Sequence, residues 1–169
     1  MEVEIRKVKL EDAQQLLFLM KQISTETSYL SREPEEWNLS LSNEIGKISE
    51  VTRDDDTEWF VAVDNGKIIG ITSICRPRNI SRLKHRAVIG LCLLKEYWGK
   101  GIGGKLIDIC IQWAKDKGIE QLELEVASTN ARAKMLYKKY GFEEVYSLPN
   151  GMKYKDGSYV NLVGMIKKI

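Results

Sequence analysis

The chain reads as an α/β unit built on a mixed sheet, an α+β arrangement, and three features predict it. Asn65-Gly66 lies between two β-rich runs, Trp59 to Val63 and Ile68 to Ile74, and supplies the positive φ values of a two-residue hairpin turn. The apolar run Ala87 to Leu94 suits a buried central strand and leads directly into a glycine-rich turn and an amphipathic helix. At 169 residues the chain can bury one core without disulfide or metal staples, so residues 1–169 are expected to form a single domain.

The elements follow in order. Val3, Ile5 and Val8 mark a short first strand, and Asp12 introduces a helix carrying Leu16, Leu17, Leu19, Met20 and Ile23. The segment Ser28 to Trp37, with Pro34 and mixed charges, reads as a loop before a second helix from about Leu39 to Thr52. The Asn-Gly hairpin and the Ala87–Leu94 strand come next. A third helix then shows Leu106, Ile109, Cys110, Trp113 and Ala114 on one face and ends at Gly118. Leu122, Leu124 and Val126 alternate with Glu123 and Glu125 in a fifth strand, with the two glutamates on its solvent side. Asn130 caps a fourth helix that Gly141 closes, and Phe142 to Tyr154 and Ser158 to Ile166 form two final strands joined at Asp156-Gly157.

Composition excludes several functions. With 26 basic against 24 acidic residues, formal charge is +2, which gives no general attraction to nucleic acid or to a membrane, and neither is expected as a partner. Any anion site must be local. Cys75, Cys92 and Cys110 have no metal-like spacing and lie among apolar neighbours, so they are expected as buried free thiols. The one histidine, His85, rules out a multi-histidine metal site, and no metal is expected. The charged amino terminus lacks the apolar run of a signal peptide, which points to a cytoplasmic protein.

The chemistry concentrates in Trp98-Gly99-Lys100-Gly101-Ile102-Gly103-Gly104-Lys105-Leu106. Closely spaced glycines let backbone N–H groups converge, and the helix start behind them adds partial positive charge, which suits a phosphate. Three patterns overlap here. Gly99-x-Gly101-x-x-Gly104 spells a dinucleotide fingerprint, but that motif normally follows an opening strand rather than a fourth strand and a hairpin. Gly99 to Lys105 also spells a P-loop, yet Leu106 stands where a magnesium-binding Ser or Thr is needed. The third reading is a pyrophosphate loop for coenzyme A.

The segment about thirty residues downstream decides among them. Residues 130 to 142, Asn130-Ala131-Arg132-Ala133-Lys134-Met135-Leu136-Tyr137-Lys138-Lys139-Tyr140-Gly141-Phe142, match the pattern N-x-R-A-x-x-L-Y-x-x-x-G-F throughout. Residues 98 to 103 match Arg/Gln-x-x-Gly-x-Gly/Ala except at Trp98. With both motifs in order, the chain resembles the GNAT superfamily of acetyl-coenzyme A-dependent N-acetyltransferases. The resemblance implies about seven mostly antiparallel strands flanked by four helices, with a fourth and fifth strand that run parallel and splay around the cofactor.

It also implies roles. Leu91 and Leu93 would meet pantetheine through their backbones, Trp98, Gly99, Lys100, Gly101, Ile102, Gly103 and Gly104 would cradle the pyrophosphate, and Asn130 would cap its helix and reach the coenzyme. Lys100 and Lys105 would add charge at the loop. Tyr137 matches the position whose hydroxyl reaches the coenzyme sulfur and is assigned as general acid. The strand-borne glutamate that serves several relatives as base aligns with Val88, so the base is unassigned, and neither Glu123 nor Glu125 takes the role. The acceptor, a small-molecule amine or a peptide amine, would bind among the first two helices, their loop and the last hairpin, where Glu26, Glu33, Glu35, Glu36 and Trp37 offer a cation site. Relatives often pair through their last strands, so a homodimer is expected. A noncatalytic acyl-coenzyme A sensor is the alternative function, favoured by the missing glutamate and disfavoured by Tyr137.

Overall fold

The computed structural model describes residues 2–77 and 80–169. Its strands are β1 (Glu4–Lys7), β2 (Thr57–Asp64), β3 (Lys67–Cys75), β4 (Arg86–Leu93), β5 (Gln121–Ala127), β6 (Glu143–Lys153) and β7 (Tyr159–Lys168). Its helices are α1 (Ala13–Glu26), α2 (Leu41–Arg53), α3 (Ile102–Asp116) and α4 (Ala131–Lys139). The seven strands form one sheet in the order β1-β2-β3-β4-β5-β7-β6, and every neighbouring pair is antiparallel except β4 and β5. Two apolar clusters cover the sheet. One joins Leu16, Leu19 and Ile23 of α1 and Ile48 of α2 to β2 and β3, and the other joins Ile107, Cys110 and Trp113 of α3 to β4, β5 and β7.

Local chemistry sets the element ends. Asn65 and Gly66 take φ values of 49° and 80°, as a type I′ hairpin requires. Ser40 caps α2 by accepting from Asn43 N at 3.2 Å, and Asn130 caps α4 by accepting from Ala133 N at 3.2 Å. Asp12 does not act as a side-chain cap for α1. Its carboxylate is buried against Arg6 instead. The loop after α1 contains a short 3-10 turn over Pro34–Trp37, closed by the Glu36 carboxylate accepting from Glu33 N.

The parallel pair opens the functional cleft. β4 and β5 are hydrogen-bonded neighbours only over Arg86–Gln121, Ala87–Leu122 and Val88–Glu123. Arg86 and Glu123 bind each other side by side at this junction, which staples the strands where they are still paired. Beyond it β5 continues along β7, while β4 stays with β3 as far as Leu93. The two strands therefore diverge, and the facing edge of β4 loses its partner.

Candidate active site

The divergence creates a cleft of about 990 Å³ floored by residues 89–93 of β4, with the glycine turn at one end and α4 along one wall. Leu94 N donates to Ile69 O, and Thr72 Oγ1 donates to Gly90 O, so the backbone groups of residues 90 and 94 turn toward β3. Strand alternation then turns those of Ile89, Leu91 and Leu93 into the split. Buried backbone groups need partners, so this edge suits a ligand carrying amides. Leu91 and Leu93 both line the cleft, in keeping with their sequence assignment. The Leu93 carbonyl, however, already accepts from Trp98 Nε1 at 2.8 Å.

The glycine turn forms the other end. Gly99 and Gly101 have φ values of 76° and 81°, which only glycine adopts without strain, and Gly101 immediately precedes α3. The start of α3 has neither a side-chain cap nor an acidic residue in its first turn, so its leading N–H groups are left to whatever sits before them. Gly103 and Gly104 have a packing reason as well: a Cβ on Gly103 would come within 2.9 Å of Leu136, and one on Gly104 would overlap the Tyr140 ring. The glycines thus bring α3 close against α4.

Two members of the turn are placed differently from expectation. The Lys100 ammonium rests 5.0 Å from the centroid of the half-buried Tyr97 ring, outside the cleft lining, because the aromatic face attracts it. Ile102 is a core residue with 2% exposure, so only its backbone can serve the turn. Lys105 also lies outside the cleft lining. The cationic side chains that do line it are Arg132 and Lys139, both on α4. Arg132 lies inside the motif segment, yet no ligand role was read for it, because a basic residue in a first helical turn looks like ordinary surface.

Tyr137 lies on the cleft wall and is 7% exposed, with its ring edge-on to Phe142 at 5.6 Å. Burial, with smaller contributions from the Cys92 and Cys110 thiols, holds the phenol well above its usual range, so it keeps its proton. Asn130 lines the same cleft while its Oδ1 caps α4. Among the described residues that line the cleft, Glu125 is the one carboxylate. Its Oε1 accepts from the Tyr146 hydroxyl at 2.7 Å.

Glu125 is exposed, as the alternation on β5 predicts, and it also borders the cleft. That alternation turns Glu123 and Glu125 to one outward face, and the splay makes part of that face a cleft wall. Glu123 is tied to Arg86, whereas Glu125 is beyond the junction and faces the opening. Val88 sits at the last position where β4 pairs with β5 and does not line the cleft. The acidic loop residues are engaged elsewhere. Glu26 accepts from Gln22 and from Lys95 N, Glu33 and Glu35 pair with Lys155, and Glu36 closes the 3-10 turn. Trp37 lies under Arg32. Of the thiols expected to be buried, only Cys110 is fully so; Cys92 is half-buried and Cys75 is exposed near the end of β3, although all are free.

A smaller groove of about 510 Å³ continues the cleft, sharing Thr27, Leu30, Ser31 and Met152 with it. Arg32 and Lys153 line this groove, each stacked on an aromatic ring, Trp37 and Tyr159 respectively. The Lys155 ion pairs link its two banks, the loop after α1 and the β6–β7 turn.

A seven-stranded mixed sheet split at its parallel pair, with a glycine turn and an uncapped helix at the split, is the architecture of the acyl-coenzyme A N-acyltransferase fold. The chain belongs to the acetyltransferase (GNAT) family, whose model matches residues 19–142. An acetyltransferase of this family from Streptococcus pneumoniae superposes with a TM-score of 0.93 at 29% identity, covering 99% of this chain and 100% of that one. A phosphinothricin acetyltransferase from Sinorhizobium meliloti, solved with acetyl-coenzyme A, shares the fold with a TM-score of 0.85 at 18% identity, covering 100% of this chain and 89% of that one. The chain is also 33% identical over 113 residues to the L-amino acid N-acetyltransferase AaaT of Escherichia coli, an alignment spanning 60% of this chain and 65% of that protein. It spans between 41% and 66% of the lengths of the first curated relatives it matches.

Proposed function

We propose that the protein transfers the acetyl group of acetyl-coenzyme A to a primary amine by direct attack. The observation that carries this reading is the placement of Glu125 and Tyr137 on one cleft that ends at the glycine turn. The groups present fit the coenzyme: the open edge of β4 suits the pantetheine amides, and the uncapped start of α3 suits a pyrophosphate. When bound, the coenzyme supplies an acetyl thioester, whose carbonyl carbon is open to a neutral amine.

An alkyl ammonium has a pKa of about 10.4 and must lose a proton before it can attack. Glu125, the carboxylate on the cleft, takes that proton directly or through water. The new C–N bond forms as the C–S bond breaks, and the departing sulfur takes up a proton. Tyr137 holds one where it is needed: the burial that keeps its phenol protonated would raise the proton affinity of a thiolate in the same cleft. Starting from the ammonium, nitrogen gives up two protons, the first to Glu125 before attack and the second as the amide forms, which offsets the one Tyr137 gives to sulfur; the products are an amide, a thiol and one released proton.

The smaller groove bears on the acceptor. Glu26 and Glu33 line it beside Arg32 and Lys153, so it offers both signs of charge, and among the described residues Arg32 and Lys153 rest on aromatic rings with no carboxylate paired to them. An amine that also carries a carboxylate suits it, and an L-amino acid is the acceptor named for the Escherichia coli relative. The test is thiol release from acetyl-coenzyme A across a panel of L-amino acids, their decarboxylated amines, polyamines and short peptides. Acetylation of one class above the others supports the transferase. Tight coenzyme binding with no amine acetylated would instead make the protein an acyl-coenzyme A sensor.

A further inference from the structure

Two side chains far apart in sequence meet at the head of the glycine turn. The Trp98 indole is fixed there by its 2.8 Å hydrogen bond to Leu93 O, at the end of β4. The guanidinium carbon of Arg132, in the first turn of α4, lies 5.6 Å from the Trp98 ring centroid. Arg132 Nη1 is also the nearest group to the open side of Gly99, 3.7 Å from where a Cβ would stand.

Among the described residues, no carboxylate pairs with Arg132, although Arg6, Arg76 and Arg86 each have an acidic partner. Lys100, the basic residue within the glycine turn, is turned onto Tyr97. Lys139 lines the cleft too, but it is about two turns further along α4 and no aromatic ring holds it. The charge at this end of the cleft is therefore supplied by α4, not by the turn itself.

We propose that Trp98 and Arg132 form one unit, in which Trp98 is the platform that positions Arg132 and Arg132 is the cation that binds the coenzyme pyrophosphate. A guanidinium stacked on an indole face leaves its edge N–H groups free and pointing outward, the geometry that grips two phosphate oxygens at once. The indole N–H bond to Leu93 keeps that platform rigid, which lowers the entropy lost when the arginine engages its ligand. The inference rests on the reading that the cleft takes acetyl-coenzyme A.

Calorimetric titration of the whole chain with coenzyme A, 3′-dephospho-coenzyme A and pantetheine tests it. Arg132→Ala is expected to weaken coenzyme A and the dephospho form by the same factor, about tenfold to a hundredfold as for a charged hydrogen bond, and to leave pantetheine unchanged. Trp98→Leu should weaken the same two ligands, and adding it to Arg132→Ala should cost little more, because the platform acts through the arginine. Circular dichroism and thermal melts report that each variant is folded. Trp98→Phe, which keeps the aromatic face, should lie between wild type and Trp98→Leu. Unchanged coenzyme A binding in Arg132→Ala overturns the proposal, as does a loss seen with coenzyme A but not with the dephospho form, which would place the arginine at the 3′-phosphate. Wild-type protein that binds none of the three ligands overturns the coenzyme reading as well, an outcome distinct from a failure confined to the variants.

Discussion

The Tyr146 hydroxyl donates to Glu125 Oε1 at 2.7 Å by reaching across the strand that separates them. Glu125 on β5 and Tyr146 on β6 both pair with Gly164 of β7, so the three residues form one row across the sheet. A Cβ on Gly164 would fall inside the Tyr146 ring, so the ring lies flat over the glycine. The small residue in the middle strand lets a tyrosine two strands away hold one carboxylate oxygen, leaving the other for the cleft. If Glu125 is the base, Glu125→Gln should lower turnover roughly a hundredfold or more while coenzyme binding stays near wild type. Turnover unchanged in that variant would remove Glu125 from the chemistry.

The same bond predicts a spectroscopic signature. The Tyr146 phenol is held above its usual range, first by its hydrogen bond to Glu125, then by partial burial and by the negative charges of Glu125 and Glu123. Ionising it would forfeit the bond and set two anions together. Glu125→Gln should therefore bring one tyrosine's titration down toward the ordinary phenol range. Phenolate absorbance followed against pH, with Tyr146→Phe identifying the transition, measures it. The idea fails if that transition does not move.

Gly164→Ala should act on both stability and position. A methyl group cannot share space with the Tyr146 ring, so the ring must swing off the row and release Glu125. Such overpacking costs about 1–3 kcal/mol, which urea denaturation can measure. The variant should also reproduce the phenol titration of Glu125→Gln, since the tyrosine loses its acceptor in either case. A destabilised variant that retained the wild-type phenol transition would show that Tyr146 reaches Glu125 without this window.

How far these arrangements could be read from sequence depends on whether the signal is local. Asn65-Gly66 announces its hairpin because the turn's φ values exclude most other residues, and Asn130 announces α4 because a cap uses its own side chain. The positions of the glycine turn and of Tyr137 on the cleft were legible because each lies inside a motif whose spacing is itself the signal. The place of Glu125 on it was not. Alternation on β5 gives the face a residue occupies, but whether that face meets water or a cleft depends on where β4 departs, and that is set by β7 capturing β5. The same limit hid Arg132, whose platform is 34 positions earlier in the chain, and it hid the pairing of Glu33 and Glu35 with Lys155 across the smaller groove. Charged loop residues look solvated until a distant partner is placed beside them.

Tyr137 gives a prediction that separates chemistry from binding. Its ring is buried beside Phe142, so Tyr137→Phe keeps the packing and removes only the hydroxyl. If Tyr137 is the acid, turnover should fall roughly a hundredfold with coenzyme affinity little changed, because the hydroxyl would then act only as negative charge develops on sulfur. Steady-state kinetics with the best acceptor, together with calorimetry for the coenzyme, distinguishes the two effects. A variant with wild-type turnover would leave Tyr137 as a packing residue.

The Arg6–Asp12 pair gives a prediction about acid stability away from the cleft. The Asp12 side chain is 3% exposed and accepts from Arg6 at 2.7 and 2.8 Å and from Lys9 N at 2.8 Å, which ties β1 to the start of α1. Burial alone would raise this carboxyl, but the Arg6 hydrogen bonds, the Lys9 amide and the nearby positive charges outweigh it and hold it below the ordinary carboxylate range. A depressed folded-state value means the unfolded chain binds its proton first as pH falls. The stabilisation is therefore fully present above about pH 4, the unfolded value, and is lost as pH drops through the lower folded one. Asp12→Asn should cost about 2 kcal/mol near neutrality, less than a fully buried pair because Arg6 is 23% exposed. Its melting temperature should also fall less steeply than that of wild type below about pH 4. Thermal melts of both proteins over an acid series decide the matter, since parallel curves would mean that Asp12 does not carry this part of the acid sensitivity.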